Sequence, residues 1–291
     1  MTAQTALFDA PGPRARRRHA VLTAVGGVVA LGLLVLVLRR MADAQQLQAS
    51  LWSPFLTGTV WREYLLPGLW GTFRAAVLSV LLAGVFGLVF GIGRLSAHRT
   101  VRWVSGVVVE FFRAVPVLIM MIFAFALYAH NQVFDSSLNP LAAVVTGLTL
   151  YNGSVLAELV RSGVHGLPRG QTEAGLSIGL TPAQTLRSVQ LPQALTAMLP
   201  ALVGQLVVVL KDSALGYQIT YTELLSWSKI LGSAYTNTIP AYLVAAVLFI
   251  TVNYALTRVA GLVERRVARR GGRAPRTTAG EPAVLQDATA T

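Results

Sequence analysis

The 291-residue chain contains no cysteine, which excludes disulfides and any cysteine-based metal or redox centre. Charge is scarce: 12% of the residues are Asp, Glu, Lys or Arg, about half the share usual in a soluble domain. His98, His130 and His165 fall in different loops, with no HExxH or paired-His spacing, so no metal site is expected. No Gly-x-x-x-x-Gly-Lys-Ser/Thr loop is present, so the chain is expected to hydrolyse no nucleotide itself. No convergent His/Asp/Glu set lies inside the apolar runs, which leaves a membrane-embedded enzyme without a catalytic set. Apolar residues, by contrast, make up 54% of the chain. Several runs reach or approach the roughly 20 residues that cross a bilayer as a helix, and they are too long and continuous for outer-membrane strands. The expected fold is all-α: a single polytopic membrane unit.

The formal charge of +12 raises the question of nucleic acid, but the placement of the arginines answers it. They sit in the tails and in alternate loops, as topology determinants do. The tail over 1–20, the 94–102 loop, the 161–192 segment and the C-terminal tail are basic, whereas 130–139 has no Lys or Arg and 214–239 only Lys229. The positive-inside rule then puts both termini and the 161–192 segment in the cytoplasm, with Arg39, Arg40 and Arg62 running against it.

In chain order, 1–20 is a basic tail and 21–38 an apolar first span. A basic start before an apolar run is also a signal-peptide pattern. Here Arg39-Arg40 stands where a small-residue cleavage site would, so a retained helix is expected. Residues 39–63 read as an extracytoplasmic linker, with Trp52 and Trp61 as interfacial rings. Spans follow over 64–93, 104–129, 140–160, 194–210 and 240–262. In the first of these, Ala83, Gly87 and Gly91 are four apart and permit close helix approach. Pro116 is expected to bend the 104–129 span, because it removes a donor and clashes one turn back. Glu110/Arg113 and Glu158/Arg161, each three apart at a helix end, read as two structural ion pairs. Residues 263–291 are Arg-rich, then rich in Pro, Thr and Ala, and are expected to be disordered.

The segment Arg161–Pro192 is the longest polar interruption of the hydrophobic body. A connecting loop need not run to about thirty residues, and this one carries helix signals of its own. Thr181-Pro182 is a helix start, a hydroxyl at the N-cap followed by Pro at the first helical position. The segment reads as a cytoplasmic docking element.

Its residues Glu173-Ala174-Gly175, Gly179 and Leu191-Pro192 resemble the "EAA…G…LP" loop of ABC importer permeases, with Gly175 in place of Ala. EFFRAVPVL (110–118), YNGSVLAELVRSGVHGLPRGQTEAG (151–175) and KDSALGYQITYTELL (211–225) are similar to the polar amino-acid subfamily, with Ser213-Ala214 where Thr-Ser is usual. The basic start and the extra first helix resemble the second permease of actinobacterial glutamate importers. The resemblance implies a five-helix type I permease core over 64–262 plus one extra N-terminal helix, in a bacterial cell membrane. It implies a cytoplasmic ABC ATPase dimer that binds ATP and Mg, leaving this chain without a cofactor. It also implies a second, nonidentical permease subunit and an extracytoplasmic amino-acid-binding protein. Coupling to the ATPase falls to Glu173, Ala174, Gly175, Gly179, Leu191 and Pro192. Lys211, Asp212 and Ser213 either line the pathway or form a self-satisfied interfacial helix end. Asn152 and Gln171 carry over as pathway residues beside a packing or capping role. Glutamate is the expected cargo, with glutamine, aspartate, arginine or histidine as alternatives. A channel without ATPases would leave the loop unexplained.

Overall fold

The computed structural model describes residues 12–270; most of the C-terminal tail and the start of the basic tail lie outside the described residues. Among the described residues there are helices and turns but no strand. Helix α1 spans Pro13–Asp43 and α2 spans Gly58–Arg94, joined through the short turns Ala49–Trp52 and Ser53–Leu56. Then come α3 (Arg99–Ala114), α4 (Val117–His130) and α5 (Asn139–His165). The polar segment supplies α6 (Gly170–Ser177), α7 (Pro182–Thr185) and α8 (Leu191–Ala197). The chain closes with α9 (Leu199–Asp212), α10 (Leu224–Ala234) and α11 (Thr238–Arg270). Five helices among the described residues are long and apolar enough to cross a membrane: α1, α2, α5, the run Leu199–Ile219, and α11 through Leu262.

The expected 104–129 span is two helices. The residue before a proline is forced towards extended backbone, and Val115 is extended at φ −84°, ψ 129°. Pro116 starts α4 on a new axis, and α3 and α4 meet at 98°. A single proline thus produces a break rather than a bend, and α3 is left outside any straight span.

The core is the packing of α2 on α5, which run parallel. The small residues of α2 decide it. Gly87 lies against the carbonyl of Gly153 and Leu156, and Gly91 against Val160 and the carbonyl of Ala157. A Cβ at Gly87 would come 2.6 Å from the Cβ of Leu156, closer than carbon atoms approach without displacement. The expected stripe of Ala83, Gly87 and Gly91 is buried throughout. One apolar cluster joins Ala75, Met121, Leu148, Leu210 and Tyr221, and a second joins Leu65, Leu224, Leu231 and Ala245. None of the apolar window of α1 is buried by the rest of the chain.

Candidate coupling loop and membrane pathway

The loop after α5 is built from local rules. α7 opens with a capping box: Gln184 N donates to Thr181 Oγ1 at 3.3 Å, and Thr181 N donates to Gln184 Oε1 at 2.8 Å. Two orphan donors are thereby satisfied before the helix begins. α6 ends in a Schellman motif. Leu180 N donates to the carbonyl of Gly175 at 3.2 Å, and Gly179 N to that of Leu176 at 3.0 Å. That closure needs a left-handed residue, and Gly179 supplies it at φ +84°. The departure from the family pattern at 175 has a cause in the neighbouring turn. A Cβ on Gly175 would lie 2.5 Å from Cγ2 and 2.8 Å from Oγ1 of Thr185. With threonine at 185, α6 and α7 meet only if 175 carries no side chain.

The loop is rooted in the bundle. Leu191, Ala194 and Met198 pack on Val160 and Val164 of α5, and the sulfur of Met198 lies against Gly163. Gln190 Nε2 donates to Thr172 Oγ1, and Gln193 Nε2 to Gln171 Oε1, both at 2.9 Å. α6 is therefore tied to the start of α8. Glu173 and Ala174 are exposed, Gly175 and Leu191 buried, and Pro192 lies in the first turn of α8. Leu176 and Ile178 are exposed beside them.

The residues expected in the pathway are spread along the bundle. Asn152 is fully buried; its Nδ2 donates to Leu148 O at 3.0 Å and its Oδ1 accepts from Gln205 Nε2 at 2.6 Å. Ser213 is buried, and its hydroxyl is used on Leu210 O at 2.7 Å. Lys211 is exposed and Asp212 half-buried, and no Lys211–Asp212 ion pair exists among the described residues. Gln171 belongs to the loop, through Gln193. Gln205, the partner of Asn152, was not expected: a lone amide in an apolar run carries no spacing that names its partner.

The two expected ion pairs are one network. Arg94, at the end of α2, lies 3.0 Å from Glu110 of α3 and 2.9 Å from Glu158 of α5. Arg161 holds Glu158 through Nε at 3.1 Å and Nη2 at 2.7 Å. Arg113 reaches Glu110 at 3.5 Å and Glu158 at 3.9 Å. Arg94 therefore links three helices at the same end as the loop. The sequence sign for it is a cation ending an apolar span.

At the opposite end, the segment before α10 docks on α2. Tyr221 donates to the carbonyl of Gly71 at 2.7 Å, and Leu224 N to Thr72 Oγ1 at 3.2 Å. Glu223 is fully buried and caps α10, accepting from Leu225 N and Ser226 N at 2.8 Å. Burial pushes its carboxyl up to about 7, against the pull of those donors.

The structure is a bundle of apolar helices, long enough to cross a membrane, that carries a capped, glycine-closed polar loop at one end. The chain belongs to the family described as binding-protein-dependent transport system inner membrane component, which matches residues 83–269. It is a permease subunit of an amino-acid ABC importer. It is 49% identical over 229 residues to the glutamate transport system permease protein GluD of Corynebacterium glutamicum, covering 79% of this chain and 83% of that protein. It is 32% identical to a probable glutamine ABC transporter permease of Bacillus subtilis, covering 77% of this chain and 97% of that one. Among solved structures, the crystal structure of an amino acid ABC transporter with histidines matches with TM-score 0.63 and 26% identity, over 69% of this chain and 93% of that one. The expected all-α permease core and the helix that precedes it are both present.

Proposed function

We propose that this chain, paired with a second and nonidentical permease subunit, forms the membrane pathway of an ATP-driven glutamate importer. The loop from Arg161 to Pro192 faces the cytoplasm, as do both termini. An ATPase dimer grips α6 and α7 there and holds the ATP and magnesium. Glu173 offers the ATPase a carboxylate, with the apolar Leu176 and Ile178 beside it. A binding protein delivers the amino acid from outside. ATP closes the dimer and draws the loops with it. The pull passes through Leu191 and Met198 into α5, and the bundle tilts to open outward; hydrolysis resets it. Lys211 and Asp212 line the route, and Asn152 with Gln205 sets its wall.

The observation that carries this reading is the built geometry of the loop: α6 is closed at its C-terminus, α7 is capped at its N-terminus, and the residues that follow are anchored on α5. A solvated connector needs neither. The cargo rests on the 49% identity to a glutamate permease, and the glutamine permease among the relatives keeps glutamine as the second candidate.

The test is ATP hydrolysis in proteoliposomes holding this chain, candidate ATPase and second permease subunits, with and without loaded binding protein. Stimulation by the glutamate-loaded protein that disappears in Glu173→Ala supports the reading. Stimulation by the glutamine-loaded protein alone replaces the cargo. No association and no stimulation with any subunit set removes the ATP-coupled role.

A further inference from the structure

Helix α3 meets α4 at 98° and crosses the ends of two spans instead of continuing one. Its Ser105 lies against Gly93, and its Glu110 meets Arg94 at 3.0 Å, so both residues sit at the last turn of α2. Arg113 meets Glu158 towards the end of α5. At 100° per residue the helix divides into three sectors of about a third of a turn each. Ser105 and Val109 are buried and Val108 and Phe112 half-buried, facing the protein. Arg99, Arg102, Glu110 and Arg113 form a charged sector. Trp103, Val104, Val107 and Phe111 form the third, which is apolar and open: Trp103 is 67% exposed and Phe111 60%.

A helix laid across the ends of spans, with one apolar and one charged outer sector, fits the boundary between acyl chains and headgroups. Trp103 borders the charged sector, the position of an interfacial ring. Two further observations concern the first turn. The side chain of Arg99 is exposed and has no hydrogen-bond or ion-pair partner among the described residues. Arg102 is anchored by donating to Ser96 O at 2.7 Å and Ala97 O at 3.4 Å, yet stays exposed. The N-terminus of α3 has no side-chain cap, so the first N–H groups of the helix lack an intrahelical partner in the turn that carries the arginines. Positive charge and free donors there call for a phosphate, and the adjoining apolar sector calls for acyl chains.

We propose that α3 is a binding surface for an anionic phospholipid of the leaflet on the loop side, with the phosphate held at Arg99, Arg102 and the helix N-terminus and the acyl chains along Trp103, Val107 and Phe111. Through Glu110 and Arg94 the bound lipid bears on the junction of α2, α3 and α5.

The test uses the full chain in nanodiscs of phosphatidylcholine and phosphatidylglycerol in equal parts, with one or the other brominated in its acyl chains. The quenching of Trp103 is taken as the difference between the wild type and Trp103→Phe. The expected result is stronger quenching by brominated phosphatidylglycerol, with a local preference of about fivefold per engaged arginine. Arg99→Gln, which removes no internal contact, should cut that preference about fivefold while quenching of the other tryptophans is unchanged. Equal quenching by the two lipids overturns the proposal, because the surface then has no headgroup preference. Absence of quenching by either overturns it as well, because the face is then covered by protein or turned to water.

Discussion

Gln205 Nε2 of α9 donates to Oδ1 of fully buried Asn152 on α5 at 2.6 Å. This bond ties the helix that leaves the loop to the helix that enters it. Within a membrane such a bond is worth about 0.6 kcal/mol on average and less than about 2 kcal/mol at most. A double-mutant cycle of Asn152→Leu and Gln205→Leu, read by thermal unfolding in detergent, should give a coupling of about 0.5–1.5 kcal/mol. Uptake should fall further than stability does if the pair also sets the wall of the pathway. Equal, small losses in both would assign it to packing alone.

Arg94→Ala should be the most damaging single change in the ion network. It strips both Glu110 and Glu158 of their shortest inter-helix partner, and the Arg94 side chain is only 13% exposed. A loss of about 1–3 kcal/mol is expected, since removing one partner leaves a poorly solvated charge behind. Arg113→Ala should cost less than about 1 kcal/mol, because that side chain is 37% exposed and makes only long contacts. Denaturation of the two variants side by side checks the order.

Gly175→Ala should loosen α6 from α7 by about 1–3 kcal/mol, because the new Cβ collides with Thr185. Thr185→Ala should rescue it by opening the space, and it removes a buried hydroxyl that lacks a hydrogen-bond partner. Proteolytic nicking of the loop reads the loosening directly. Loss of rescue in the double variant would place the defect elsewhere.

Gly179→Ala should cost about 1–2 kcal/mol in the same assay, because a side chain is placed at φ +84°. No second-site change at Thr185 should rescue it, since the strain is in the backbone and nothing lies within 4 Å of the added Cβ. Gly175 and Gly179 are thus separable by suppressor.

Glu223 predicts a pH dependence whose sign follows from burial. Its folded-state pKa is raised from 4.5 to about 7. The protonated form is therefore favoured in the fold, and its contribution is fully present below about 4.5 and lost as pH rises through about 7. The change is on the order of 3 kcal/mol. Glu223→Gln should flatten that part of the stability profile. An unchanged slope between pH 5 and 8 would assign the dependence to another group.

The sequence by itself determined the class of fold, the number and order of the apolar runs, and the place of the loop. These follow from properties that each residue carries alone or with near neighbours: hydropathy sustained over about 20 residues, Pro at a helix start, small residues four apart. Thr181-Pro182 was legible for that reason, and so was the stripe of Ala83, Gly87 and Gly91; Gly179 was marked only by the loop pattern, and its left-handed backbone is a finding of the structure. The tertiary structure decided what depends on distance between helices. Glu110/Arg113 and Glu158/Arg161 looked like two pairs because spacing reveals only partners on the same helix. Arg94 made them one network only once α2, α3 and α5 had packed. Gln205 found Asn152 in the same way, and Gly175 acquired its reason from Thr185 across a turn. Hydropathy marked 104–129 as a span but could not measure the angle at Pro116, because the new direction of α4 is fixed by its packing on α5 as well as by the proline.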